Sequence, residues 1–247
     1  MKLECIKNKS TLFKSANPKS EKLKEILLGE NFIKKKSVKK YAYGYCENDK
    51  YKGWVKKIDF KKFDISKNSQ ISVKKAFLYS SPNNKFKTNK FIYFNSKINT
   101  GLEENNFVKY KNYWIKKNEL IKAFLKKKNY LNNVKNFLNT KYVWGGNTPD
   151  GIDCSGLVQE LMKNCGQSCP RDSKDQIKFF KKKINLKKIK KGDLLFWKGH
   201  VAIALNKKKL IHAFGPMKKV IIMPIAKTVT DLKKKSLPLL SIKRPFK

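Results

Sequence analysis

The spacing of apolar residues divides the chain into two parts. In residues 1 to about 120, short β-branched and aromatic runs are broken by Asn, Pro, Gly and Lys, which is typical of short strands joined by tight turns. Over 119–138, apolar side chains recur every three or four positions and predict a helix. The same spacing predicts further helices over 154–165 and 172–183.

Three short apolar runs follow the predicted helices. They cover residues 193–197, 200–205 and 209–214, and turns rich in Lys, Gly and Asn separate them. Runs of this length joined by such turns predict antiparallel hairpins. Helices followed by a sheet predict an α+β domain, which we place at 119–247.

The N-terminal part contains the same features twice in the same order. The corresponding stretches are residues 12–18 with 78–83, and 54–57 (Trp-Val-Lys-Lys) with 114–117 (Trp-Ile-Lys-Lys). A repeat of short strands predicts two small all-β barrels in tandem, at 1–63 and 64–118.

The charge balance is strongly basic. Lys and Arg number 59 against 18 Asp and Glu, a net charge of +41, and 40% apolar residues still allow a packed core. The only arginines are Arg171 and Arg244, and the lysines are spread along the whole chain. Recognition of nucleic acid favours the bidentate guanidinium and a concentrated basic patch. We therefore expect solvated lysine faces and no specific nucleic-acid partner.

The cysteines point to free thiols. There are five of them, at spacings that fit neither a disulfide framework nor a zinc site, so we expect buried thiols in a reducing compartment, no metal and no cofactor. The first residues contain no apolar leader, and no apolar run reaches the length of a membrane span. The sequence therefore predicts a cytoplasmic protein without a membrane partner.

One cysteine stands where a nucleophile is useful. Cys154 follows a glycine-rich turn at the start of a predicted helix, and a helix N-terminus with a nearby histidine lowers the pKa of a thiol. The two histidines of the chain, His200 and His212, are 12 residues apart on neighbouring predicted strands. One imidazole can then serve the thiol while the other orients it. The alternatives are a buried structural thiol and two unrelated strand histidines.

Five ordered motifs in the last half of the chain resemble NlpC-type cysteine peptidases. They are residues 142–146 with 151–157, 170–176, 192–197, 199–201 and 211–212; the family's usual glycine after His-Val is Ala202 here. The resemblance implies a papain-like α+β fold that hydrolyses peptide bonds of bacterial murein. It also implies roles for four residues: Cys154 as nucleophile, His200 as general base, His212 as orienting residue and Tyr142 as oxyanion donor.

The N-terminal repeats resemble bacterial SH3-like domains at residues 27–30 and 51–55. The combination is similar to γ-D-glutamyl-L-diamino acid endopeptidases (dipeptidyl-peptidase VI-like) that cut free L-Ala-γ-D-Glu-diaminopimelate during wall recycling. Such a resemblance implies a subsite for the free amine of the substrate. Asp153 and Ser155 match its catalytic-domain side, and Glu21 and Tyr51, with Glu47 next, are the candidates on the SH3-like side.

Two other functions remain open at this point. The protein could be a non-catalytic module that binds wall peptides, or an amidase or acyltransferase on the same fold. A complete Cys154, His200 and His212 set favours an enzyme over a binding module. The sequence does not distinguish water from another acyl acceptor, name the diamino acid, or indicate an oligomeric state.

Overall fold

The computed structural model describes residues 1–123, 125 and 129–246. The chain forms two compact units, Met1–Leu125 and Lys126–Lys247. Among the described residues, no helix is long and apolar enough to cross a membrane.

The first unit begins with a seven-stranded sheet in the order β3-β2-β6-β5-β4-β1-β7. Its strands are β1 (Lys2–Cys5), β2 (Lys9–Phe13), β3 (Lys22–Leu27), β4 (Asn31–Val38), β5 (Tyr41–Cys46), β6 (Lys52–Lys56) and β7 (Phe60–Lys62). All paired strands of this sheet are antiparallel, and their buried apolar side chains form one core. That core contains Leu12, Ile26, Phe32 and Val55, all without solvent exposure.

The rest of the first unit has two smaller sheets around a second core. One has the order β10-β9-β14-β13-β12 and the other β11-β8-β15. Their strands are β8 (Ser69–Ile71), β9 (Lys75–Tyr79), β10 (Lys87–Tyr93), β11 (Lys97–Ile98), β12 (Glu103–Glu104), β13 (Phe107–Tyr110), β14 (Tyr113–Lys116) and β15 (Leu120–Lys122). Ile71, Ala76, Ile98 and Ile115 form the centre of the second core. The strands of residues 1–123 thus form an all-β unit, in which the second core also includes Leu28, and Tyr79, Phe107 and Trp114 form a smaller cluster.

The second unit combines helices with one sheet, as the hydrophobic spacing predicts. Its elements are β16 (Asn147–Thr148), β17 (Gly151–Ile152), α1 (Cys154–Asn164), α2 (Ser173–Phe179), β18 (Lys183–Ile184), β19 (Leu194–Trp197), β20 (His200–Ala204), β21 (Lys209–Phe214), β22 (Lys219–Pro224), α3 (Ile225–Lys234) and β23 (Ser241–Lys243). The large sheet has the order β18-β23-β19-β20-β21-β22. Helix α1 packs against β20 and β21. Leu195, Ala202, Leu210 and Leu232 form part of the core that involves α3.

Short 3-10 helices connect several of these elements. They are Lys57–Asp59, Asn84–Phe86, Lys117–Glu119, Tyr130–Phe137, Leu186–Lys188 and Gly215–Met217.

The predicted helices over 154–165 and 172–183 are confirmed as α1 and α2, but α2 ends at Phe179. Lys183 and Ile184 form strand β18 instead, because they pair with β23. The three predicted hairpin strands are confirmed as β19, β20 and β21.

The predicted helix over 119–138 is wrong. Leu120 and Ile121 pair with β8 and belong to the all-β unit, so tertiary pairing overrides the helical spacing. Residues 130–137 form a 3-10 helix in which the side chain of Asn129 accepts the Leu131 N–H. Asparagines, which compete with the backbone for hydrogen bonds, are frequent here and disfavour an α-helix. Phe124, part of the same prediction, lies outside the described residues.

Candidate active site

The turn before α1 fixes the position of the thiol. Oδ1 of Asp153 caps the helix by accepting the N–H of Gly156 at 2.7 Å. A side chain at Gly156 would place its Cβ 2.6 Å from the carbonyl oxygen of Gly146, so glycine is required for this close approach. Cys154 is therefore the first residue of α1. It is 6% exposed, and its Sγ lies 4.0 Å from the carbonyl oxygen of Gly199.

The surroundings of this thiol favour its neutral form. Burial, followed by the negative charge of Asp153, raises the pKa of Cys154 to about 12. The backbone N–H groups of Val201 and Ser155, and the charge of Arg171, act in the opposite direction but do not offset burial. The helix start acts in the expected direction through the N–H of Ser155, but burial outweighs it in the resting site because the sulfur has lost its water.

The two histidines lie side by side at the start of β20 and on β21. Nε2 of His200 is 2.9 Å from Nδ1 of His212, which is a hydrogen-bonding distance. The ring of His212 stacks on Phe214 at 4.5 Å between centroids, and Trp197 lies 5.7 Å from His200. Burial lowers the pKa of His200 to about 4 and that of His212 to about 3. Both imidazoles are consequently neutral at pH 7.

The thiol and the histidine pair meet through the backbone of β20. Gly199, whose carbonyl faces the sulfur, directly precedes His200, and Val201, whose N–H contributes to the environment of the sulfur, directly follows it. The structure therefore brings Cys154, His200 and His212 to one place, as their spacing on the predicted strands suggests.

Tyr142 belongs to the same neighbourhood. Its backbone N–H donates to the carbonyl of Lys218, and the residue bridges to Ile152, two positions before Cys154. Burial, and then the charges of Cys154 and Asp153, raise the pKa of the Tyr142 hydroxyl to about 12. The phenol therefore keeps its proton and can donate a hydrogen bond.

Asp153 is paired with the buried guanidinium of Arg171. Arg171 approaches its carboxylate in bidentate fashion, with Nη1 2.8 Å from Oδ1 and Nη2 2.5 Å from Oδ2. Oδ2 also accepts the N–H of Gly145 at 2.8 Å, and Oδ1 lies 3.3 Å from the hydroxyl of Ser155. The lone pairs of the carboxylate are thus occupied, and its charge is neutralised within the protein.

Part of the second unit is similar in sequence to known proteins. Residues 139–234 match the NlpC/P60 family.

This segment is an NlpC/P60 domain.

Two curated relatives are similar to part of this chain. One is dipeptidyl-peptidase 6 of Lysinibacillus sphaericus, 38% identical over 35% of this chain and 32% of its own length. The other is γ-D-glutamyl-L-lysine dipeptidyl-peptidase of Bacillus subtilis, 36% identical over 38% of this chain and 34% of its own length. The similarity therefore spans about a third of each relative.

Two solved structures share the fold beyond the NlpC/P60 domain. An NlpC/P60 family protein from Bacillus cereus superimposes over 100% of both chains with a TM-score of 0.84 and 18% identity. An NlpC/P60 endopeptidase from Photobacterium damselae subsp. piscicida covers 99% of this chain and 71% of its own, with a TM-score of 0.60 and 16% identity. At such identities the likeness concerns the fold alone.

The substrate-binding candidates outside the NlpC/P60 domain lie in the first unit. Glu21 forms an exposed ion pair with Lys14 at 3.0 Å, and Tyr51 packs against the first core. Burial alone would raise the pKa of Glu47, but hydrogen bonds from Lys2 and Asn31 bring it below its usual value. Their role in binding substrate stays a prediction.

Three residues of the NlpC/P60 domain have contacts that the sequence did not predict, although Arg171 and Gln176 lie in the motif at 170–176. Arg171 pairs with Asp153, and Gln176 donates from its amide nitrogen to the carbonyls of Ser155 and Pro170 at 2.9 Å each. Met223 places its sulfur 3.3 Å from Nε2 of His212. For Arg171, the rarity of arginine was a second signal beside that motif. An arginine kept among so many lysines indicates a site that needs two parallel N–H donors.

No group of three or more His, Cys, Asp or Glu side chains within residues 1–123, 125 and 129–246 could hold a metal ion. The five cysteines are buried and unbonded to one another.

Proposed function

We propose that the protein is a cysteine peptidase that hydrolyses the bond between γ-D-glutamate and the diamino acid of murein peptides. The observation that carries the proposal is the position of Cys154 at the start of α1, against the strand that bears His200, with His212 hydrogen-bonded behind it. This is the arrangement that nucleophilic acyl transfer requires.

The chemistry follows from groups that are neutral at rest. As Sγ of Cys154 attacks the carbonyl carbon, His200 takes the thiol proton and then gives it to the leaving amine. Water attacks the resulting thioester with His200 again as base, which releases the acid and restores the thiol. The backbone N–H of Cys154 and the hydroxyl of Tyr142 are the proposed donors to the oxyanion.

The substrate class comes from the relatives. Their names specify a γ-D-glutamyl-L-lysine dipeptidyl-peptidase and a dipeptidyl-peptidase 6, and each is similar to about a third of this chain or slightly more. We propose free L-Ala-γ-D-Glu-diaminopimelate as the substrate, and we further propose that the two all-β modules are SH3-like domains that assist its binding.

In the proposed amine subsite, the charge of Asp153 alone does not explain how a free amine would be bound. A lone Asp153 carboxylate would attract the ammonium of L-Ala, but Arg171 already neutralises it. Selectivity for a free amine would then depend on hydrogen bonding and on space rather than on an uncompensated charge in the NlpC/P60 domain.

The test is incubation of the protein with L-Ala-γ-D-Glu-meso-diaminopimelate, the L-lysine tripeptide and the N-acetylated forms, followed by mass spectrometry. Release of L-Ala-γ-D-Glu by the wild type, and no release by a folded Cys154→Ala variant, supports the peptidase. Binding without cleavage indicates the binding module. Transfer of the dipeptide to an added amine, in preference to water, indicates an acyltransferase. Equal kcat/KM for free and acetylated peptides removes the amine subsite.

A further inference from the structure

The ring of His212 has a polar neighbour at each nitrogen. Nδ1 is 2.9 Å from Nε2 of His200, and Nε2 is 3.3 Å from Sδ of Met223. Met223 lies on β22, where it pairs with Leu210, so it sits diagonally across from His212 on the neighbouring strand. His212 is 1% exposed, so no bulk water competes with the sulfur for this nitrogen.

The two neighbours differ in what they can do. A thioether sulfur accepts a hydrogen bond but has no proton to donate, whereas an imidazole can do either. Nε2 of His212 therefore carries the proton and donates it to Met223. Its Nδ1 is then a lone pair, which accepts the Nε2–H of His200. Nδ1 of His200 is left as a lone pair and is free to receive a proton from the thiol.

The reverse arrangement is unfavourable at both ends. A proton on Nδ1 of His212 would place the lone pair of its Nε2 against the lone pairs of Met223 Sδ. The neutral ring of His200 would then carry its proton on Nδ1. It could not accept the proton of Cys154 at Nδ1 unless its Nε2 gave up the hydrogen bond with His212. Without the sulfur, the histidine pair alone would not distinguish the two arrangements.

We propose that Met223 is a positioning residue that sets the tautomers of both histidines. Its consequence for catalysis rests on the proposed peptidase function. On thiol attack, one proton moves from Sγ of Cys154 to Nδ1 of His200, and the imidazolium that forms keeps its Nε2–H on His212. The stack of Phe214 on His212 holds the ring in the plane that this chain of contacts needs.

The tautomers can be observed directly because the chain contains two histidines. In ¹⁵N-histidine-labelled protein at pH 7, long-range ¹⁵N–¹H correlation spectra should show both rings protonated at Nε2. Met223→Leu keeps the volume but removes the acceptor, so part of the population should shift to Nδ1–H. Met223→Gln offers an amide oxygen and should restore the original tautomers. Met217→Leu, at an exposed methionine, is the matched control and should change nothing.

Activity provides the second readout. Met223→Leu should lower kcat roughly threefold to tenfold, with KM unchanged, as expected for loss of one sulfur contact. Met223→Gln should recover most of that loss. Wild-type His212 protonated at Nδ1, or tautomers unaffected by Met223→Leu, would overturn the proposal. If the predicted tautomers are found but the tripeptide is not cleaved, the peptidase function fails while the assignment of Met223 stands.

Discussion

The NlpC/P60 domain buries polar groups in two contrasting ways within a few residues of each other. Asp153 and Arg171 keep their charges, because each is the counter-ion of the other and almost all their donors and acceptors are used. Cys154, His200 and His212 have no such partner and are held neutral by burial. The charged cluster therefore provides structure, whereas the neutral cluster keeps groups whose protons can still move.

The largest effect should come from breaking the charged cluster. Arg171→Met leaves the buried carboxylate of Asp153 without its cation, which costs about 3–5 kcal/mol when a buried pair loses one partner. We expect the free energy of unfolding, measured with urea, to fall by about this amount. The double variant Asp153→Asn/Arg171→Met should recover part of the loss. A single variant as stable as the wild type would show that the pair does not hold the site together.

Because His200 and His212 are buried in the neutral form, we expect the free energy of unfolding to depend on pH. The pKa values of His200 and His212 are about 4 and 3 in the folded protein against 6.5 when unfolded. Between pH 6.5 and 4 the unfolded chain binds more protons, so stability is complete above pH 6.5 and is lost as the pH falls. Down to pH 4 the loss is roughly 3 kcal/mol for each histidine, and for His212 it continues to pH 3 and reaches roughly 5 kcal/mol.

The control for this titration removes both imidazoles. The His200→Gln/His212→Gln variant has no histidine left, so its stability should change less than that of the wild type over the same window. Parallel curves for the two proteins would mean that the histidines are not buried in the neutral form.

The smallest effect should come from the second arginine. Arg244 also makes a bidentate contact, with Nε 2.7 Å from Oδ1 and Nη2 2.8 Å from Oδ2 of Asp193, but its side chain is 20% exposed. In an Arg244→Lys variant the ammonium can still pair with one oxygen of Asp193, and Oδ2 keeps the N–H of Lys190 at 2.7 Å, so we expect a loss of less than about 1 kcal/mol. Arg171→Lys should cost clearly more. Equal losses in the two variants would show that the Asp153–Arg171 and Asp193–Arg244 pairs do not differ in their contribution to stability.

Local patterns predicted much of this architecture. The helix that starts at Cys154, the hairpin that brings His200 to His212 and the all-β N-terminal unit all follow from period and turn residues. These elements could be predicted because they depend on contacts between residues close in sequence, or on a regular spacing of apolar residues. The predicted helix over 119–138 is wrong because Leu120 and Ile121 pair with the strand at 69–71. That strand is about 50 residues away, so the local sequence pattern contains no sign of the pairing.

The properties of the site were harder to predict than its members. The pKa of Cys154 depends on how much water the fold removes, and the helix start alone suggested the opposite direction. The partner of Asp153 is 18 residues away and that of His212 is 11 residues away, on the next strand. Such pairings are set by tertiary structure rather than by motif spacing.

In the proposed reaction, the thiol of Cys154 attacks the γ-D-glutamyl carbonyl. This step is tested most directly by mixing the protein with L-Ala-γ-D-Glu-L-Lys, quenching in acid within one turnover, and measuring the intact mass followed by peptide mapping. We predict a mass increase of one L-alanyl-γ-D-glutamyl group, located on the peptide that contains Cys154. Cleavage of the tripeptide by a protein that never carries this group, or by a folded Cys154→Ala variant, would contradict the account.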